Sequence, residues 1–264
     1  MRDNGHVRRF TRFIAFGDSI TEGLCDDIVA GQYVGWADRV AHVLAHEQTG
    51  FEYFNLAVRG KRLEQVVANQ IPLGVDFIEG SQTLVSFHAG ANNILRPGYE
   101  PEVIFSMYQE TVRRLAATGA QVMLFTVQEV ADPQTRTQRL WNSRFGGFNN
   151  MVRETANEVG ALLLDGNAHE VFFDKRLIAP DRLHLNADGH RRVAAAVLAN
   201  LGMPHDADWD VPIGPLSEPG LVARCASTIR WITSFLIPWA LRRMTGKSSG
   251  DGRVAKHTGP VALS

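Results

Sequence analysis

The sequence predicts an α/β fold in three layers. A doubly wound parallel sheet of about five strands lies between two layers of helices, and a C-terminal amphipathic helical extension follows. Three observations carry this. Short runs rich in Val, Ile, Leu and Phe alternate with longer stretches of helical spacing between residues 12 and 201. The runs lack strict apolar–polar alternation, the pattern of strands covered on both faces. Polar clusters sit where strands end, and parallel sheets bind ligands beyond the carboxyl ends of their strands.

Element by element, the expected strands are residues 12–16, 51–56, 83–87, 121–127 and 161–165. The expected helices are residues 34–47, 61–78, 101–117, 145–159 and 187–201. Pro101 suits a first helical turn, and Gly119 and Gly160 sit where helix C-caps are expected. Repeated strand–helix units imply right-handed crossovers. No internal repeat is evident. Gly202-Met203-Pro204 ends the pattern and closes an expected catalytic domain of residues 8–203. Residues 204–218 read as a polar, proline-bearing linker. Val222, Cys225, Ile229, Ile232 and Leu236 then recur at helical spacing beside Trp231 and Phe235, so residues 219–243 read as an amphipathic helix kinked near Pro238. The Gly/Ser/Lys-rich residues 244–264 are expected to be disordered.

Of 264 residues, 45% are apolar, enough for a real core. The net charge of −1 gives no overall field for nucleic acid. That balance hides an asymmetry: from Pro219 onward there are seven Lys/Arg and one acid, Asp251. Two cysteines, Cys25 and Cys225, are too few for a disulfide framework, so a reducing, cytoplasmic setting is expected. The N-terminal residues lack the apolar stretch of a signal peptide, and no run reaches the length of a spanning helix.

The chemistry begins at Phe-Ile-Ala-Phe-Gly-Asp-Ser, residues 13–19. Gly17 allows a sharp turn after the strand, and Ser19 then stands at the start of a turn or helix as a candidate nucleophile. A serine hydroxyl needs a base. Asp181-Arg182-Leu183-His184 offers one, because a carboxylate three residues before an imidazole can fix its tautomer and orientation. Gly60, after the second strand, can offer an unshielded N–H. Asn92, after the third, can donate a side-chain N–H to an oxyanion. Taken singly, each also suits a plain structural role: Asp18 and Ser19 as caps, Gly60 as a turn glycine, Asn92 in a capping turn, and the Asp–His pair as a capped loop. His184 and His190 do not share a helix face as a metal pair would. Cys25 reads as a small buried residue, and Trp36, Trp141 and Tyr99 read first as packing residues.

Together these segments resemble the SGNH hydrolases, the GDSL esterase/lipase family. The first family block is similar to Phe16-Gly17-Asp18-Ser19-Ile20-Thr21-Glu22-Gly23. The second-block glycine falls on Gly60, the third block on Gly90-Ala91-Asn92-Asn93, and the Asp-x-x-His block on Asp181 and His184. The resemblance spans roughly residues 10–202 with the blocks in family order. Asn93 stands where the family has an acid, and Ala57 where it has glycine. The resemblance implies a flavodoxin-like fold, a shallow site, no metal and no cofactor. It also implies hydrolysis of a small-molecule carboxylic ester, with Ser19 as nucleophile, His184 as base, Asp181 orienting it, and Ser19, Gly60 and Asn92 as oxyanion donors. Acyltransfer, thioester hydrolysis, or a non-catalytic binding role on the same fold stay open. The basic helix at 219–243 has three readings: packing on the catalytic body (the favoured one), dimerisation, or peripheral membrane contact. In the last, Arg224, Arg230, Arg242 and Arg243 would face anionic lipid, with Trp231 and Trp239 at the interface.

Overall fold

The computed structural model describes residues 9–215, 220–245 and 247–263. Residue 8 of the expected catalytic domain, 216–219 around the end of the expected linker, and 246 and 264 of the expected tail lie outside the described residues. In chain order the strands are β1 (Arg12–Gly17), a small hairpin of β2 (Ile28–Val29) and β3 (Gln32–Tyr33), β4 (Glu52–Asn55), β5 (Thr83–His88), β6 (Gln121–Phe125), β7 (Leu162–Leu164) and β8 (His257–Ala262). The helices are α1 (Ser19–Glu22), α2 (Gly35–Glu47), α3 (Leu63–Asn69), α4 (Ile71–Gly74), α5 (Ala91–Ile94), α6 (Pro101–Ala117), α7 (Arg136–Val159), α8 (Ala187–Leu201), α9 (Leu221–Trp231) and α10 (Ile237–Met244).

The main sheet runs β7-β6-β5-β1-β4-β8. Its five strands from β7 to β4 are parallel and wound in flavodoxin-like order. Winding reverses direction between β1 and β5, so a crevice opens beyond their carboxyl ends. Ser19 follows β1 and Asn92 follows β5, which places both at this crevice. Side chains alternate between two cores with the two-residue period of a strand. Phe13, Ala15, Tyr53, Leu84 and Met123 join the core under α2 and α8. Ile14, Phe16, Phe54, Val85 and Leu124 join the core under α3, α6 and α7. Among the described residues no helix is long and apolar enough to cross a membrane.

The structure departs from the sequence reading in several places. The expected helix 61–78 breaks after Asn69, because Pro72 opens α4 and the Gln70 carboxamide turns in to the end of β1. Helix α7 starts at Arg136 rather than 145. Thr135 and Gln138 form a reciprocal capping box there. Residues 204–215 are pinned to the body, since Arg192 donates to the Trp209 carbonyl at 2.6 Å and Arg176 to the Ile213 carbonyl at 2.8 Å. Near Pro238 the helix passes through a π-helical stretch, Ile232–Leu236, before α10 resumes. Such a widened turn absorbs the N–H that proline lacks.

The largest correction concerns the tail expected to be disordered. Residues 257–262 form β8, antiparallel on the otherwise open edge of β4. An open edge presents unpaired backbone donors and acceptors, and Pro260 is tolerated only at such an edge. Lys256 locks the strand in place. Its ammonium is buried, pairs with the Asp38 carboxylate, and donates to the Tyr33 carbonyl at 2.6 Å and the Val34 carbonyl at 3.1 Å. Composition registers the Gly/Ser content of 244–252 but not this buried partner.

Replacing Lys256 with Met leaves Asp38 buried without its cation. Urea unfolding should show a loss of about 3 kcal/mol. An unchanged midpoint would contradict the anchoring of β8.

Candidate active site

The turn after β1 is held from three sides. A Cβ at Gly17 would lie 2.6 Å from the His88 carbonyl oxygen and 2.7 Å from Thr21 Oγ1, so only glycine passes. Gln70 grips the same residue twice: its Oε1 accepts from Gly17 N at 2.9 Å and its Nε2 donates to Gly17 O at 2.8 Å. Asp18 caps α1, its Oδ1 accepting from Ile20 N at 3.4 Å. Ser19 is thereby set at the first position of α1, where its own N–H has no intrahelical acceptor.

His184 comes from the loop before α8. Asn186 caps α8 through Gly189 N at 3.0 Å and donates to the Arg176 carbonyl at 2.6 Å. The loop closes on itself through Ala179 N to His184 O at 2.8 Å, and Arg182 takes a left-handed backbone with φ of 61°. Such a conformation costs a non-glycine residue roughly 1–3 kcal/mol. His184 Nε2 lies 2.8 Å from Ser19 Oγ, and His184 Nδ1 lies 2.6 Å from Asp181 Oδ2. The other carboxylate oxygen, Asp181 Oδ1, accepts from the backbone N–H groups of Leu183 and His184, both at 3.0 Å. Burial pushes the Asp181 carboxyl up, but the hydrogen bond and charge of His184 and these N–H groups outweigh it, leaving it below its ordinary value. Residues 165 positions apart in sequence therefore form one hydrogen-bonded chain from hydroxyl to carboxylate.

The Gly60 turn is tied to α1, the helix that Ser19 opens. Glu22 accepts from Arg59 N at 2.6 Å and pairs with its guanidinium, and Asn55 accepts from Ala57 N at 3.2 Å. Gly60 takes φ of 71°, and its N–H donates to no acceptor among the described residues. A side chain there would strike Ser248 and Ser249. Asn92 reaches the same crevice but is engaged: its Nδ2 donates to Asp18 Oδ2 at 3.0 Å and to the Lys61 carbonyl at 3.1 Å. Burial pushes the Asp18 carboxyl up, and His88, Ile20 N–H, His184 and Asn92 only partly pull it back. Asn93 accepts from Leu63 N and donates to Glu64 Oε2, both at 2.8 Å. It thus joins α5 to α3 with a neutral group where the family has an acid.

Two cavities flank Ser19 and His184. One, of about 180 Å³, runs under Trp36, Phe125, Phe145, Phe172 and Val193. The other, of about 350 Å³, lies on the Gly60 side beneath α9 and α10. Trp36 and Trp141 both line the first cavity. Tyr99 instead stacks on Arg144, 5.3 Å from guanidinium carbon to ring centre. The helical extension is attached through Trp231, whose indole donates to the Asp181 carbonyl at 2.8 Å and whose ring lies under the Arg182 guanidinium. The stripe expected to dock the helix does so only at its end. Val222 and Ile229 are exposed, whereas Leu236 lines the second cavity with Trp231, Phe235 and Trp239.

Cys25, Asp181 and His184 bring their ligand-capable atoms together, the one such group among the described residues. Burial, then Asp181, pushes the Cys25 thiol up to about 11, and the thiol donates weakly to Asp181 Oδ2 at 3.8 Å. The thiol is thus a weak donor to the carboxylate that also holds His184. His190 is buried away from this group and donates to the Leu24 carbonyl at 3.2 Å; burial lowers it to about 4. Sequence reasoning missed Gln70, a lone carboxamide within an expected helix; Pro72 marks the break that turns it inward, but nothing local marks its partner.

Residues 15–192 match the family model described as the GDSL-like lipase/acylhydrolase family. No curated protein matches the chain. Among solved structures, the chain is similar to LAE5, an α/β hydrolase from the metagenome of Lake Arreo, Spain. The two share 22% identity over 72% of this chain and 94% of that one, with a TM-score of 0.58. The acetylxylan esterase Axe2 of Geobacillus stearothermophilus shares 18% identity over 74% and 96%, TM-score 0.58. The psychrotrophic esterase EstA of a Pseudoalteromonas species, inhibited by monoethylphosphonate, shares 15% over 73% and 97%, TM-score 0.55. With a family model matched across most of the chain and this fold beneath it, the protein belongs to the GDSL-like lipase/acylhydrolase family of carboxylic ester hydrolases.

Proposed function

We propose that the chain cleaves carboxylic esters through an acyl-enzyme on Ser19. The observation that carries this is the continuous hydrogen-bonded path Ser19 Oγ–His184 Nε2 at 2.8 Å and His184 Nδ1–Asp181 Oδ2 at 2.6 Å. Ser19 Oγ attacks the ester carbonyl carbon as its proton passes to His184 Nε2. Asp181 holds the Nδ1–H and balances the imidazolium. The oxyanion is met by the N–H groups of Ser19 and Gly60 and by Asn92 Nδ2, which gives up its bond to Asp18 as the charge develops. Each donor is worth about 3 kcal/mol. His184 then protonates the leaving alcohol, and water, activated by the same imidazole, releases the acid. Two solved structures of Axe2 are catalytic mutants, one replacing a histidine and the other a serine, which supports these roles by analogy.

The acyl group is assigned to the smaller cavity, which is lined mostly by apolar side chains, with His88, Thr126 and Gln128 as polar groups away from Ser19 and His184. A cavity near 150 Å³ holds a benzene ring, so about six to eight carbons fit in 180 Å³. Transfer to another acceptor, or cleavage of a thioester, uses the same atoms. Val222, Ile229, Ile237 and Leu241 are exposed on the helical extension, which supports peripheral contact of residues 219–243 with a lipid surface.

Across p-nitrophenyl acetate, butyrate, octanoate and palmitate, kcat/KM should peak at octanoate, and Ser19→Ala should lose turnover on all four. Retained turnover in that variant would overturn the reading. Gln70→Leu frees Gly17 from its two tethers while keeping volume. It should lower kcat about 100-fold, the cost of a misplaced nucleophile, with KM little changed; an unaltered kcat would remove Gln70 from the positioning of Ser19.

A further inference from the structure

The chamber on the Gly60 side is built from two sources. Gly60, Asn92 and Arg96 come from the catalytic body. Trp231, Trp239 and Arg242 come from a roof, followed by Lys247–Ser249. The roof lies beyond residues 15–192, the span matched by the family model. The chamber meets the acyl cavity at Ser19, Asn92 and His184, so an ester with its acyl group in the one can extend its leaving alcohol into the other.

Charge in this chamber is one-sided. Arg96, Arg182, Arg242 and Lys247 line it, and Asp181 is the one acid among its lining residues. That carboxylate is already committed to His184 and two backbone N–H groups. Arg96 Nε is buried with no hydrogen-bond partner among the described residues. Arg182 meets the Trp231 ring and the hydroxyls of Ser227 and Thr228, at 3.4 and 3.3 Å, and no carboxylate among the described residues. Several other arginines of the body are paired with acids: Arg39 with Asp26, Arg59 with Glu22, Arg153 with Asp165. Four cations around a partly enclosed space repel one another unless an anion joins them. Arginine forks with a lysine suit a phosphate, whose oxygens accept several charged donors at once.

We propose that this chamber binds a leaving alcohol or thiol carrying a phosphate group, so that the substrate is an acyl ester or thioester with an apolar acyl half and an anionic leaving half. The proposal rests on Ser19 as the nucleophile. Bond changes are those of the acyl transfer already described: the acyl carbon leaves the alkoxide or thiolate for Ser19 Oγ, and His184 returns the proton to the departing atom. The phosphate stays intact and binds to the cations.

The test compares kcat/KM of the full chain on 1-octanoylglycerol 3-phosphate, octanoyl-coenzyme A and neutral 1-octanoylglycerol, with p-nitrophenyl octanoate as control. At least one phosphate-bearing substrate should exceed the neutral one tenfold or more at low salt. That ratio should fall toward one at high ionic strength and in a variant combining Arg96→Gln, Arg242→Gln and Lys247→Gln. Preference for the glycerol phosphate ester identifies a lipid source; preference for the thioester identifies a soluble carrier. Equal or better use of the neutral ester, with p-nitrophenyl octanoate still cleaved, overturns the proposal but leaves the ester hydrolase reading intact. Loss of the control substrate as well points instead to failure of that reading. Should the triple variant not fold, competition decides. Glycerol 3-phosphate should inhibit the wild-type chain where glycerol does not, and equal behaviour of the two would overturn the anion site.

Discussion

The space at Gly17 governs the rest of the site. Between the His88 carbonyl and Thr21 there is no room for a side chain, and Gln70 holds the backbone on its remaining side. With that turn fixed, Ser19 emerges at the reversal of strand order between β1 and β5. The loop before α8 then needs only to place one imidazole opposite it. Asn186 does this by capping α8, and Asp181 completes it by binding the imidazole and the loop backbone together. The left-handed Arg182 is the strained residue in that loop, and its guanidinium is held against Trp231 of the roof.

Much of this was legible from residues alone. The five parallel strands follow from short apolar runs, because a strand covered on both faces needs apolar side chains at every position, as Phe13 to Phe16 show. Ser19, Gly60, Asn92, Asp181 and His184 could be singled out only as a set, because each alone also suits a cap or a turn and it is their order along the chain that resembles the family. What stayed hidden depends on partners distant in sequence. Gln70 acquires its role only when it meets Gly17, and Lys256 only when it meets Asp38. The tail's glycines and serines read as disorder because composition does not register the open edge of β4. The helical extension misled in the opposite sense: the first part of the regular stripe, Val222 and Ile229, is exposed, while its last member Leu236 lines the cavity together with Trp231 and Phe235.

The C-terminal segment thus has two parts with different physics. β8 is ordinary sheet completion, secured by one buried ion pair. The roof touches the catalytic loop through an indole, a stacked guanidinium and hydroxyl contacts, and leaves large apolar side chains exposed. A roof so lightly attached lines the larger cavity beside Ser19 and His184. It also sets this chain apart from a bare hydrolase fold: the family's match ends at residue 192, and the site's positive charge is gathered partly beyond it.

Ser19 Oγ is the atom proposed to be acylated. An alkyl fluorophosphonate with a medium chain, followed by peptide mass mapping, tests this most directly. The account predicts a single adduct on Ser19 that forms together with loss of esterase activity and slows when His184 is replaced by Ala. An adduct elsewhere, or complete inhibition with Ser19 unmodified, would contradict it.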